Sequence, residues 1–282
     1  MSGGPHPTPR AARRRRPEPG PVARRSARLH GFMVAYFGRY FARHMNALRV
    51  ARWGEPALAP GAGPVVVYSN HPSWWDAAVY VLAGDRLLGP YESYAPIDAE
   101  MLRRYGIFGR IGAFGVDLDS PRGAADFLAA SASILSRPDR GLWLTAQGRF
   151  ADVRERPLRL KPGIARLPEI APGATVLPLA IEYAFWLERG AEACIAFGRP
   201  IPAGELLALS RPARLARLEE TLAATLDRLA IDVQSRDPER FRALVAGRAG
   251  IGGVYDAWRR LAAALGGRRF DPAHGPSQRG AA

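Results

Sequence analysis

The chain has 282 residues, of which 48% are hydrophobic, and a formal charge of +14. This size and composition predict one folded domain with extensions. The single cysteine, Cys194, excludes an internal disulfide and a cysteine-based metal site, which is typical of a reducing compartment. No run of about eighteen apolar residues is present, and no signal-peptide core follows the basic N-terminus, so we expect neither a transmembrane helix nor secretion.

Residues 1–28 predict a disordered basic tail, because they combine many prolines with eight arginines and one acid, Glu18. The tail therefore carries +7 (eight minus one) of the +14 charge. A solvated tail without a function and a tail that binds an anionic membrane or nucleic acid both remain open at this point.

The segment 29–54 predicts an amphipathic helix with a wide apolar face and a basic rim. Its helical pattern extends from Leu29 to Val50, and Arg39 and Arg43 lie at the rim. The apolar positions are Leu29, Phe32, Met33, Tyr36, Phe37, Tyr40, Phe41, Met45 and Leu48. An aromatic face with a basic rim favours a helix in a membrane interface, whereas packing on the protein's own core is the alternative.

Strand and helix patterns alternate through residues 55–210. The strands are expected at Val65–Tyr68, Tyr94–Pro96, Ile111–Leu118, Leu142–Leu144, Val176–Ile181 and Ala193–Phe197. Helices are expected between them, one of them with Ser120 as N-cap and Pro121 at its first position. This alternation predicts an α/β fold with a mixed, mostly parallel central sheet flanked by helices.

The C-terminal part, residues 211–265, predicts helices that pack on the same domain. The first begins near Arg211 and carries a leucine stripe, the second lies near Arg240–Val245, and the third lies near Tyr255–Leu265. Residues 266–282 are polar and predict a flexible tail.

The turn after the first strand contains the residues best suited to catalysis. His71 follows the apolar run Val65–Tyr68, and Ser73 is the expected N-cap of the next helix, with Asp76 in its first turn. A histidine oriented by a carboxylate is the general-base half of a catalytic triad. The nucleophile would then be a hydroxyl group of the substrate.

The His-x4-Asp spacing of His71 and Asp76 resembles the glycerolipid acyltransferase superfamily, and the resemblance extends over roughly Val65–Pro202. Gly112–Leu118 resembles its second motif, with Leu118 where an arginine is expected and Arg122 four residues further on. A third similar segment is Thr145-Ala146-Gln147-Gly148-Arg149, in which Gln147 replaces an acid, and Lys161-Pro162-Gly163 follows it. Further similar segments are Val176–Leu179 and Phe197–Ile201.

The resemblance implies a peripheral enzyme on the cytoplasmic membrane face that transfers an acyl group from acyl-CoA or acyl carrier protein to a lysophospholipid hydroxyl. His71 would be the base and Asp76 its partner. The acceptor would be bound by Gln147, Gly148, Arg149, Lys161 and Arg122. The partners would be membrane lipids and the acyl donor, and no cofactor, metal or nucleic acid is expected.

Two alternatives remain open. Gln147 and Leu118 favour the same chemistry on another acceptor, such as a glycolipid, an isoprenoid glycoside or an amino lipid. A non-catalytic membrane-binding relative is the alternative of a different class.

Overall fold

The computed structural model describes residues 20–59, 61–117 and 120–247, and within them nine strands form one sheet. The strands are β1 (Met45–Ala51), β2 (Val65–Ser69), β3 (Glu92–Asp98), β4 (Ala113–Val116), β5 (Arg140–Thr145), β6 (Thr175–Ala184), β7 (Ala191–Phe197), β8 (Ile201–Pro202) and β9 (Phe241–Ala246). The α-helices are α1 (Pro21–Arg24), α2 (Ala27–His44), α3 (Asp76–Leu87), α4 (Ala99–Arg104), α5 (Pro121–Leu135), α6 (Leu167–Ile170), α7 (Ala203–Leu207) and α8 (Arg211–Ser235). Short 3-10 helices cover Arg52–Gly54, Gly106–Ile111, Pro162–Arg166 and Pro238–Arg240.

The strands are arranged in the order β4-β3-β5-β2-β6-β7-β1-β9, and β8 pairs with β6. Strands β4, β3, β5, β2 and β6 run parallel to one another. Strand β7 is antiparallel to β6, β1 is parallel to β7, and β9 is antiparallel to β1. The predicted α/β fold with a mixed, mostly parallel sheet flanked by helices is therefore confirmed.

Helices cover both faces of the sheet, so the strands are apolar on both sides. On one face of the sheet, α2 and α3 pack over Val65 and Val67 of β2. On the other face, α5, α6 and α8 pack over Val66 and Tyr68. The predicted leucine stripe of α8 belongs to this second core, where its members Leu218, Leu222, Leu226 and Leu229 are buried.

Helix α2 is shorter than predicted, since the chain becomes a strand at Met45. Its apolar face packs on the protein's own core, with Met33, Phe37 and Phe41 buried. The predicted helix over residues 45–50 is wrong, because these residues form β1 between β7 and β9. Burial on both faces of this strand imitates a helical apolar pattern.

The predicted helix at Arg240–Val245 is also wrong. Residues Phe241–Ala246 form β9, which pairs with β1 about 190 residues earlier in the chain. The α/β domain therefore includes β1 and β9, which lie outside the predicted bounds 55–210. The predicted helix at Tyr255–Leu265 and the tail 266–282 fall outside the described residues.

The predicted tail extends too far, because residues 20–28 are folded onto the domain. Pro21 is buried in α1, the backbone N–H of Ser26 donates to the carbonyl of Arg110 (2.8 Å), and Arg25 forms an ion pair with Glu92 (3.4 Å). Residues 1–19 of the predicted tail lie outside the described part of the chain.

The packing of α2 yields a test of its role in the core. We expect Phe41→Ala to lower the free energy of unfolding by about 3–5 kcal/mol, because Phe41 is fully buried. The matched variant Phe32→Ala removes a ring that is 63% exposed and should change this free energy by less than about 0.5 kcal/mol. Denaturant unfolding of both variants measures the difference, and equal losses would contradict the packing of α2.

Candidate active site

The ends of three neighbouring parallel strands bring the candidate residues together. Ser69 of β2 pairs with Thr145 of β5 on one side and with Leu179 of β6 on the other. Two residues further along the chain, the same register places His71 beside the loop after β5 and the last residues of β6. The carboxyl ends of parallel strands are where sites gather in α/β sheets.

The structure brings His71 and Asp76 into direct contact. The His71 Nδ1 atom lies 2.6 Å from Asp76 Oδ2. The Asp76 side chain is buried, with 1% of its surface exposed, whereas the His71 side chain is 21% exposed. Because Nδ1 faces the carboxylate, Nε2 is the ring nitrogen that is free to exchange a proton with a ligand.

The Asp76 carboxylate is held by donors from other elements. The Tyr183 hydroxyl, at the end of β6, donates to Oδ1 (2.7 Å), and the backbone N–H of Ser73 donates to Oδ2 (3.3 Å). Helix α3 begins at Asp76 with Trp75 as its N-cap residue, so the prediction of Ser73 as N-cap is wrong.

The loop after β5 holds the backbone of His71 on both sides. The side-chain oxygen of Gln147 accepts from the His71 N–H (3.0 Å), and the Ala151 N–H donates to the His71 carbonyl (3.0 Å). The Gln147 amide nitrogen donates to the carbonyl of Leu158 (3.0 Å). Gln147 is 2% exposed and uses both ends of its amide inside the protein, so its expected role in binding the acceptor is corrected to positioning His71.

The side chain of Asn70 extends the pairing between β2 and β6 beyond Ser69. Its Nδ2 donates to the carbonyl of Ile181 (2.8 Å), and its Oδ1 accepts from the Ile181 N–H (2.9 Å). An amide that imitates a backbone peptide in this way fixes the end of β6 against β2. This contact fixes the register of β6 against β2, and with it the position from which Tyr183 donates to Asp76.

The ring of Phe150 covers one face of the His71 imidazole. The ring centroids are 4.2 Å apart with an interplanar angle of 30°, and Phe150 is 59% exposed. The Phe150 ring excludes water from that side of the imidazole. The histidine therefore borders an apolar surface that is open to solvent.

The basic residues predicted to bind the acceptor lie in different electrostatic settings. Arg149 is exposed and forms a two-pronged ion pair with Glu155, which neutralises its charge. The stem of Lys161 lies over Gly148, where a Cβ atom would meet the lysine Cγ at 3.0 Å. Gly148 also has φ +62°, a conformation that glycine adopts without strain. Lys161 is exposed and pairs with no carboxylate within the described ranges.

The structure does not bring Arg122 to the histidine. Arg122 is exposed in the first turn of α5 and lies 4.0 Å from Asp126. It follows β4, which is three strands from β2, or roughly 14 Å at the usual strand spacing. The expectation that Arg122 binds next to the base is therefore not supported by its position, and Leu118 falls outside the described residues.

Sequence reasoning missed three residues of the site, namely Asn70, Phe150 and Tyr183. Alternation along β6 gave a signal for Tyr183, because it shares a face with Ile181 and lies at the strand end. Asn70 and Phe150 adjoin recognised segments, but their contacts depend on pairing between distant strands. No sequence pattern indicates such contacts.

Within residues 20–247 as described, no group of three or more His, Cys, Asp or Glu side chains is arranged to hold a metal ion. None of the helices in the same described ranges has the length and apolar character needed to cross a membrane.

The chain matches no protein-family model, and no curated protein is significantly similar to it.

The role of Gln147 can be tested with Gln147→Glu, which keeps the shape but replaces the donor to Leu158 with an oxygen. We expect a loss of about 1–3 kcal/mol in the free energy of unfolding at pH 7, because an ionised carboxylate cannot donate to a carbonyl. A buried carboxyl group has a raised pKa in the folded state. The loss should therefore be smallest near pH 4, where the protonated acid still donates, and should grow as the pH rises.

The control for this substitution is Gln234→Glu, which makes the same change at an exposed position on α8. Denaturant unfolding from pH 4 to pH 8 measures both variants against the wild type. A Gln147→Glu protein with no pH-dependent loss would contradict the proposed positioning role.

Proposed function

We propose that the protein is an acyltransferase that moves a fatty acyl group from an acyl thioester to a lipid hydroxyl. The observation that carries the proposal is the contact between His71 Nδ1 and the buried Asp76 carboxylate at the carboxyl end of β2. The pair offers a general base without its own nucleophile, which suits a reaction in which the substrate supplies the hydroxyl.

In the proposed mechanism, His71 Nε2 accepts the proton of the acceptor hydroxyl as its oxygen attacks the thioester carbonyl. A C–O bond forms, the C–S bond breaks, and the imidazolium returns the proton to the leaving thiolate. Asp76 holds the imidazole in the tautomer with the proton on Nδ1 and stabilises the imidazolium. Coenzyme A and acyl carrier protein are both suitable carriers of the thioester.

An anionic lysophospholipid is the acceptor that we favour. The ammonium group of Lys161 is exposed near Gly148, and a point charge of this kind binds phosphate. Arg149 would contribute only after leaving Glu155. The buried position of Gln147 removes one reason for expecting a different acceptor, because the replaced acid would not face the ligand.

We also propose that the protein binds the surface of an anionic membrane through an aromatic strip, defined as Phe32, Tyr36, Tyr40, Trp75 and Trp74. Successive ring centroids lie 5.9 Å (Tyr36–Tyr40), 5.4 Å (Tyr40–Trp75) and 5.8 Å (Trp75–Trp74) apart.

Exposure and charge support this choice of surface. Within the strip, Phe32, Tyr36 and Trp74 are 63%, 47% and 60% exposed. Amphipathic aromatic side chains favour the membrane–water boundary. Residues 19–54 contain no acid, and Arg39 and Arg43 of α2 are exposed beside the strip, so the surface attracts anionic lipids. The strip ends at Trp74, three residues from His71.

The proposed chemistry predicts that His71→Ala abolishes acyl transfer while the protein still folds. Asp76→Asn should lower kcat by about 10⁴-fold, because the amide favours the wrong histidine tautomer. Asp85→Asn makes the same change at an exposed position of α3 and should leave the rate unchanged. The measurement is mass spectrometry of products from acyl-CoA or acyl carrier protein with anionic and neutral lipid acceptors.

The outcomes of this assay separate the candidates. A product that requires His71 identifies the acceptor, and a preference for neutral acceptors would overturn the role given to Lys161. Unchanged transfer by His71→Ala would overturn the mechanism. No product from any acceptor, together with binding to vesicles, would favour a non-catalytic membrane protein.

The aromatic strip predicts that Tyr36→Ser combined with Trp74→Ser weakens binding to anionic vesicles at least tenfold, because two exposed rings no longer enter the interface. The control is Ile231→Ser, which removes a side chain that is 64% exposed on α8, on the opposite face of the sheet. Co-sedimentation with vesicles of anionic or neutral lipid measures both proteins. Equal binding by the two variants would contradict this choice of surface.

A further inference from the structure

The Tyr183 hydroxyl donates to the oxygen of the Asp76 carboxylate that does not face His71. The proposed mechanism gives this second oxygen no role. Asp76 Oδ2 faces His71 and the Ser73 N–H, and Oδ1 accepts from Tyr183 at 2.7 Å. Each carboxylate oxygen thus has a donor from a different element. Without Tyr183, Oδ1 would be left without this donor in a position that is shielded from water.

We infer that Tyr183 is a positioning residue of the site, whose hydroxyl fixes the orientation of the Asp76 carboxylate and draws part of its negative charge away from His71. The expected effect of Tyr183 on catalysis rests on the proposed function. The coupling between Tyr183, Asp76 and His71 is independent of that function, because it follows from the contacts alone.

The position of Tyr183 is set by the sheet. Asn70 pairs with both backbone groups of Ile181, and Tyr183 follows two residues later on the same face of β6. The hydroxyl therefore reaches Oδ1 from a strand that is locked to the strand carrying His71. A tyrosine in this place holds the carboxylate without depending on the loop after β5.

Tyr183 remains a donor throughout the working pH range. Burial, followed by the negative charge of Asp76, raises the pKa of Tyr183 well above its ordinary value. The phenol is therefore protonated whenever Asp76 is ionised. A protonated phenol beside a carboxylate donates a short, charge-assisted hydrogen bond.

Within the described part of the chain, few other titratable groups lie near His71 and Asp76, so the effect of a change at Tyr183 can be interpreted. Tyr80 of α3 lies near Asp76 but pairs its hydroxyl with Ser69 (2.6 Å). The Phe150 ring on His71 carries no charge. Glu182 points to the opposite face of β6, where the positive charge of Arg154 acts on it.

Tyr183→Phe removes the donor and keeps the ring. The Asp76 carboxylate then keeps more negative charge and holds a proton on His71 more strongly, so the titration midpoint of the His71 ring should move upward by about 0.5 pH unit. The acidic limb of the pH profile of kcat/KM should move in the same direction. A looser carboxylate should also lower kcat by about tenfold with little change in KM.

The control is Tyr68→Phe, which removes a buried hydroxyl that donates to the carbonyl of Leu218 on the opposite face of β2. It should cost stability without moving the His71 midpoint. NMR of the His71 ring against pH, in the full chain and without substrate, measures the midpoints. 3-Fluorotyrosine at position 183 gives the opposite test, because a more acidic phenol is a stronger donor and should move the midpoint downward.

The outcomes are distinct. A midpoint in Tyr183→Phe equal to that of the wild type, or a shift equal to that of Tyr68→Phe, would overturn the inference. If the midpoint moves as expected but the wild type transfers no acyl group, the coupling holds and the proposed function fails. If the midpoint moves and kcat falls with KM unchanged, both are supported.

Discussion

The Asp76 carboxyl group lies where only 1% of the side chain is exposed, and the oxygen atoms of a buried carboxylate must be met by hydrogen-bond donors. The donors come from three separate elements, namely His71 after β2, the turn before α3, and Tyr183 at the end of β6. The carboxylate can therefore be accommodated only when β2, α3 and β6 are in their final register. The site and the centre of the sheet depend on each other.

Two side chains hold the strands in this register by forming hydrogen bonds with backbone groups. Asn70 continues the pairing of β2 with β6 after the strand ends, and Gln147 accepts from the His71 N–H on the side of β5. Both side chains are amides, which donate and accept at once, and both are buried. A carboxylate at either place would lack the donor that faces a carbonyl. The polar residues around His71 are thus part of the framework and leave the ring as the group that faces a ligand.

Sequence patterns predicted most of the fold wherever the signal was local. The central strands, the Ser120 cap of α5 and helix α2 from Leu29 onward follow from periodicity and capping. Strands β1 and β9 did not, because their pairing partners lie far away in the chain and burial on both faces resembles a helical pattern. In the site, the spacing of His71 and Asp76 sufficed for the pair. It could not show that Gln147 is internal, that Arg149 is neutralised, or that Tyr183 reaches the carboxylate.

Under the proposed function, the loop after β5 would link ligand binding to the position of His71. Its residues Gln147 and Ala151 bond the backbone of His71, and Arg149 between them is tied to Glu155. An anionic head group that drew Arg149 away from Glu155 would act on the same short segment that holds the histidine. Phe150, whose ring lies on the imidazole, belongs to the same segment. Tyr183 holds Asp76 from another element, because it belongs to β6, which pairs with β2. The proposed base therefore has two supports, one in the loop that carries Arg149 and one, through Asp76, in β6.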